Sequence, residues 1–133
     1  MFRVEAIHYG EIRKEPELLA EYAAESGVAG IGPVNPQWAL YAAMEAAGAL
    51  QVFAVYADEA MVGFATVLCA VMPHYGVMVA NLESLFVSSA WRHTRAGAML
   101  LRMVHQHAVE RGCKALGRWR HGRSLWRRLP QPV

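Results

Sequence analysis

The densest chemistry in the chain lies in the segment Leu82-Glu83-Ser84-Leu85-Phe86-Val87-Ser88-Ser89-Ala90-Trp91-Arg92-His93-Thr94-Arg95-Ala96-Gly97-Ala98. An apolar run, a polar turn and the start of a periodic Ala/Leu segment follow one another there, which is the order of a strand running into a helix. A helix start presents backbone N–H groups without intrahelical acceptors and the positive end of the helix dipole, and both favour a phosphate or pyrophosphate. Arg92 and Arg95 add charge beside it, and Gly97, having no Cβ, lets an anion come close to the backbone. The alternative is an ordinary solvated helix start with two surface arginines. No Gly-x-x-x-x-Gly-Lys-Ser/Thr run occurs in the chain, which excludes a Walker loop, and no expected strand is followed by the three-glycine pattern of a dinucleotide-binding turn.

The elements that must position this segment are legible from periodicity. Near-alternation over residues 2–9 predicts a first strand ending at Gly10. Residues 11–26, rich in Glu, Ala and Leu, predict one amphipathic helix stopped by Gly27, and a loop follows over residues 27–33. Asn35-Pro36 has the form of an N-cap with proline at the first helical position, opening a second helix that ends at Gly48. Residues 50–56 and 61–72 then form a hairpin around residues 57–60, and residues 73–76 turn the chain into a strand over residues 77–87. Near-continuous apolarity places that strand at the centre of a sheet. The 3.6-residue pattern returns over residues 95–111, with Leu100, Val104 and Ala108 in one row and Gly112 at its end. Residues 114–119 read as a last strand, and residues 124–129 as a helical turn cut off by Pro130. The order β-α-α-β-β-β-α-β is a mixed α/β plan, an antiparallel meander followed by one strand-helix-strand crossover.

With 133 residues, 55% apolar and 18% charged, the chain has the size of one domain, and its apolar runs fall short of the ~20 residues that cross a bilayer. A start lacking a basic stretch and an apolar h-region shows no secretory signal, so the expected setting is the cytoplasm, with no membrane partner. Cys69 and Cys113 lie inside apolar periodic segments and read as buried thiols; two cysteines make neither a disulfide framework nor a four-ligand zinc site. His105 and His107, two apart on a helix, point to different faces, which argues against a chelating pair and for surface histidines; no metal is expected. Charge is divided unevenly along the chain. Residues 1–60 hold nine acids and three bases, net −6, residues 61–110 are net +1, and residues 111–133 hold seven bases and no acid, net +7. The basic end either neutralises the acidic half, meets an anionic cofactor, or marks a nucleic-acid contact.

The Phe86-Val87 pair, followed by Arg92-His93-Thr94-Arg95-Ala96-Gly97-Ala98 at a helix start, resembles the pyrophosphate loop of the GNAT superfamily of acetyl-CoA-dependent N-acyltransferases, Arg/Gln-x-x-Gly-x-Gly/Ala. The resemblance covers about residues 2–116. Arg95 stands where the superfamily usually has its first glycine, a departure similar to a phage and prophage sub-branch, as are Tyr41 with Glu45 and Gly48 and the His74-Tyr75 pair. The resemblance implies a GNAT-like, mostly antiparallel sheet flanked by helices and direct acetyl transfer from acetyl-CoA to a primary amine on a small molecule or protein. It implies that the pantetheine arm pairs with backbone at Leu85, Phe86 and Val87 while Arg92 to Ala98 hold the pyrophosphate. A general base near the strand must take the ammonium proton. Glu83, the one acid between Glu59 and Glu110, is the first candidate, and His74, an imidazole at a strand edge, the second. His93 would touch phosphate without a catalytic role, and the acidic N-terminal half, flanking the acceptor cleft by analogy, would favour a cationic amine.

The pattern breaks after Leu116. The family continues with strands and often a tyrosine that protonates the leaving thiolate, whereas residues 117–133 are a Trp- and Arg-rich basic tail and no tyrosine follows Tyr75. The expectation is that C-terminal strands are missing, that an exposed edge invites pairing with a second copy, and that the general acid is absent. Two alternatives to an active acetyltransferase follow: an impaired CoA-binding domain, and a small nucleic-acid-binding protein using the tail, the latter less favoured.

Overall fold

A computed structural model describes residues 1–28, 31–120 and 123–132. Its centre is a six-stranded sheet in chain order: β1 (Phe2–Ile7), β2 (Leu50–Ala57), β3 (Ala60–Met72), β4 (Val77–Val87), β5 (Ala115–Arg120) and β6 (Arg123–Arg128). Every neighbouring pair is antiparallel except β4 and β5, which run parallel. Parallel neighbours need a crossover, and the helix Ala96–Glu110 supplies it. This is the expected mixed α/β plan with a mostly antiparallel sheet flanked by helices.

Apolar residues on both faces of the central strands call for cover on both sides. Along β2, Phe53, Val55 and Ala57 face the crossover helix, whose Ala96, Leu100, Val104 and Ala108 recur every four residues in one buried row. Leu50 and Val52 face the other way, with Phe64 and Phe86, against Ile12, Leu18, Tyr22, Tyr41 and Met44. Those last five lie on three short helices: α1 (Tyr9–Arg13), α2 (Pro16–Glu25) and α3 (Trp38–Ala46), the crossover helix being α4. Cys69 and Cys113 are buried free thiols, as their apolar setting predicts. No helix among the described residues is long and apolar enough to cross a membrane.

Three local expectations are corrected. The single helix over residues 11–26 is two, because Pro16 lacks an N–H and its ring crowds the preceding turn, so it opens a new helix at its first position. The next helix starts at Trp38 behind Gln37, without a side-chain cap, rather than at Pro36 behind Asn35. Packing of Trp38 against Tyr9 and Tyr41 sets that start. Residues 124–129 hold no helical turn: β6 pairs with the whole of β5, so the closing strand expected to be missing is present. Pairing along an otherwise open edge outweighs local propensity there. Gly117 makes room for it, since a Cβ would stand 2.7 Å from the Trp126 ring. Leu129, 1% exposed, anchors the end, its N–H donating to the Lys114 carbonyl at 3.0 Å.

Candidate functional site

Glu83 owes its position to a bulge. Thr66 on β3 faces Ser84 on β4 while the next residue, Val67, faces Leu82, so Glu83 is the extra residue of the bulged strand, β4. A bulge re-aims one side chain of an otherwise regular ladder. Here it turns the carboxylate to the face carrying α1–α3, where three hydroxyls converge. Tyr41 Oη donates to Glu83 at 2.9 and 3.1 Å from its two oxygens. Thr66 Oγ1 donates to Glu83 Oε1, and with its only proton so used it accepts from Ser84 Oγ at 2.6 Å. Burial, and then the Glu83 charge, push the Tyr41 phenol far above its ordinary value, which keeps it a donor. Tyr22, seated between Phe64 and Phe86, is raised for the same two reasons in the same order.

Glu83 also marks where the sheet opens. β4 and β5 are joined only over Ala80–Leu82 and Leu116–Arg118; beyond that point β4 continues through Leu85, Phe86 and Val87 without β5 beside it. The gap holds about 330 Å³ and is lined by Leu82, Glu83, Leu85, Arg118 and Trp119, with Tyr22 and Ser26 from the α2 side. Glu83, Tyr22 and Trp119 also line an adjoining cleft of about 590 Å³ that runs out under α3.

At the far end of β4 a short 3₁₀ turn (Ser89–Trp91) leads into α4. Thr94 Oγ1 donates to the Trp91 carbonyl and accepts from the Ala96 N–H at 3.3 Å, fixing the loop from within. The N–H groups of Gly97 and Ala98 find no acceptor among the described residues. A Cβ on Gly97 would meet only Val87 Cγ2, at 3.8 Å, so packing does not demand glycine there. Two free donors at the positive end of a fifteen-residue helix suit an anion.

The arginines divide in a way the chain order does not reveal. Arg92 folds back: Nε donates to the Val87 carbonyl at 2.9 Å, Nη2 to Glu25 at 2.7 Å, and the guanidinium lies 5.4 Å from the Phe86 ring centroid. Arg95 forms no ion pair among the described residues and is the loop's uncommitted arginine. His93, at φ +70°, is exposed in the same loop.

His74 is not brought to this site. It sits exposed in the turn between β3 and β4, edge-on to Tyr75, and the six residue steps from Val77 to Glu83 are roughly 20 Å of strand. His107 is not a surface histidine: its ring packs edge-on to Phe53 and its buried Nε2 has no partner among the described residues. Thr66, Ser84 and Trp119 were missed by sequence reasoning. A Thr on β3 and a Ser next to the acid on β4 carry no local signal, because register alone brings them together.

Comparison with known proteins agrees with this fold. A family model described as the acetyltransferase (GNAT) family matches residues 16–125. No curated protein sequence matches the chain. Among solved structures, it is similar to an aminoglycoside acetyltransferase from an uncultured soil metagenomic sample, in complex with sisomicin, at 16% identity and a TM-score of 0.67 over 90% of this chain and 77% of that one. It is also similar to a ribosomal-protein-alanine N-acetyltransferase from Brucella melitensis biovar Abortus 2308, at 19% identity and a TM-score of 0.64 over 87% and 78%. A third, AAC(6')-Iy in complex with a bisubstrate analogue, CoA-S-monomethyl-acetylneamine, is 17% identical with a TM-score of 0.68 over 90% and 80%. At such identities the likeness is one of fold.

Proposed function

The chain belongs to the acetyltransferase (GNAT) family, and from that premise we propose that it is an acetyl-CoA-dependent N-acetyltransferase acting on a primary amine. The observation that carries this reading is the coincidence at one point of β4: the sheet opens after Leu82, and the bulge turns the next residue, Glu83, into the adjoining cleft. Acetyl-CoA supplies an acyl group already activated as a thioester. The residues present fit such a ligand, since an anion is met by the free N–H groups of Gly97 and Ala98 with Arg95 beside them, and the stretch Leu85, Phe86 and Val87, which has β3 but not β5 beside it, begins at the gap that Leu85 and Glu83 line.

In this reading the chain's own groups bind, orient and move a proton. Gly97 and Ala98 hold the pyrophosphate, and Leu85 to Val87 align the pantetheine arm. Glu83 takes a proton from the incoming ammonium, which frees the lone pair that attacks the thioester carbonyl. Tyr41 and Thr66 hold the carboxylate toward the cleft. Of the two protons the ammonium gives up, the first goes to Glu83 and the second ends on the departing sulfur or in water. His74 takes no part.

Calorimetric titration of the full chain with acetyl-CoA, beside a thiol-release assay with amines, tests the reading. Saturable binding that Gly97→Trp abolishes, together with slower turnover but unchanged binding in Glu83→Gln, is the expected result. A folded protein that binds no acetyl-CoA would overturn it.

A further inference from the structure

Resting on that reading, we infer that the acceptor is a monoamine with an apolar body rather than a polycation. The cleft leading out from Glu83 is lined by Leu40 and Met44 of α3, Leu68 of β3, Trp119 of β5 and, from residues 28–37, Ile31 and Val34. Glu83 is the single charged side chain among the described residues that line it. Ala29 and Gly30, which lie outside the described residues, are uncharged by type.

The acidic N-terminal half does not change this count. None of its nine acids lines the cleft, and several are engaged elsewhere: Glu21 with Ser88 and Ser89, Glu25 with Arg92, Glu45 with His8 and the Tyr9 N–H, Glu11 with Lys14, and Asp58 with the N-terminus. The acidity that favoured a cationic amine in the sequence therefore lies away from the cleft, and one carboxylate remains for one ammonium. A second ammonium entering the cleft would shed water with no counter-charge to replace it. Arg118, which lines the adjoining gap, adds a like charge nearby. An apolar body gains instead, because Ile31, Leu40 and Trp119, which line the cleft, are 78, 55 and 53% exposed, and a bound hydrocarbon or aromatic group would remove part of that surface from water. A space of about 590 Å³ accommodates a group of that kind.

The test uses the full chain at saturating acetyl-CoA, reading thiol release with phenethylamine and hexylamine, with ethanolamine as a small polar monoamine, and with spermidine and kanamycin as polycations. The expected result is a kcat/KM for phenethylamine and hexylamine above that for the other three by about tenfold or more. Leu40→Asp, which adds a second carboxylate at an exposed position, should shift the ratio of spermidine to phenethylamine by about tenfold toward spermidine. Preference for spermidine, kanamycin or ethanolamine in the wild type overturns the inference while leaving the acetyltransferase reading intact. So does acetyl-CoA binding without turnover of any of the five amines. Absence of acetyl-CoA binding by the folded chain overturns both.

Discussion

Tyr41 Oη lies 2.9 Å from one Glu83 carboxylate oxygen and 3.1 Å from the other, so a phenol from α3 caps the bulged residue of β4. The two residues are 42 positions apart in the chain, and their contact ties the helical layer to the point where the sheet opens. A hydrogen bond to a charged group contributes about 1.5–3 kcal/mol. Tyr41→Phe keeps the ring and removes that bond, leaving Thr66 alone to hold the carboxylate. The expected outcome is a fall in kcat of about tenfold, with the calorimetric affinity for acetyl-CoA unchanged. An unaltered kcat would show that the orientation of Glu83 does not depend on the phenol.

Two glycines on either side of Val87 should respond in opposite ways to alanine. At Gly63 a Cβ would stand 2.6 Å from the Phe86 carbonyl oxygen and 3.2 Å from Val87 Cα, so backbone must move. Gly63→Ala should cost about 1–3 kcal/mol in denaturant unfolding and raise the KM for acetyl-CoA by displacing Phe86 and Val87. At Gly97 the same change meets only Val87 Cγ2 at 3.8 Å. Gly97→Ala should leave stability level or raise it by up to about 1 kcal/mol, from helix propensity, while weakening acetyl-CoA binding through the methyl placed among the free N–H groups.

Burial, and then the neighbouring Cys113, push the Cys69 thiol up to about 12. Cys113 is wholly buried. A thiol that is neither ionised nor reachable is a poor nucleophile. Neither cysteine should react with a chromogenic disulfide reagent at pH 8 in the native protein, and both should react in denaturant. Fast native-state release would contradict the packing of α4 against β3.

Glu21 binds the turn that precedes α4, accepting from the Ser89 N–H at 2.7 Å and the Ser88 hydroxyl at 2.8 Å. The Ser89 N–H, then the Ser88 hydroxyl, hold its carboxyl below the ordinary value of 4.5. A lowered native value means stabilisation that is fully present above pH 4.5 and is lost as pH falls through the native value. Glu21→Gln should therefore melt below the wild type at neutral pH, and the gap in Tm should close as the pH is taken below 4. A gap independent of pH would assign the effect to packing instead.

Leu129 is the one buried residue after Gly117 among the described residues, and its loss tests whether β6 is part of the folded sheet. Leu129→Ala should destabilise the protein by about 2–5 kcal/mol and speed amide exchange along β5 and β6. Unchanged stability would mean that the basic end contributes little to the core.

Much of the site was readable because it is local. The strand-to-helix junction needs only an apolar run, a polar turn and a 3.6-residue row, and Glu83 stands out as a lone acid in an apolar strand. What lay beyond local reach involves partners distant in the chain. Glu25 claims Arg92 because α2 docks over the end of β4, so the side chain placed beside the phosphate by position alone turns back to a carboxylate 67 positions away. His74 illustrates the converse, since nine positions from Glu83 through a turn and along a strand become roughly 20 Å.

Alternation and periodicity along the chain specify a mixed α/β fold, the order of its elements apart from the split of residues 11–26 into two helices and the strand at the basic end, and the anion-suited start of the long helix, because each depends on the residues within a turn or a strand of one another. Packing alone makes Glu83 the bulged residue among Tyr41, Thr66 and Ser84, closes the sheet with residues 123–128 as a strand, and leaves none of the acids of the N-terminal half lining the cleft. Register, edge pairing and counter-ion choice are long-range; a single apolar or charged residue carries no mark of which distant neighbour the packed chain will bring to it.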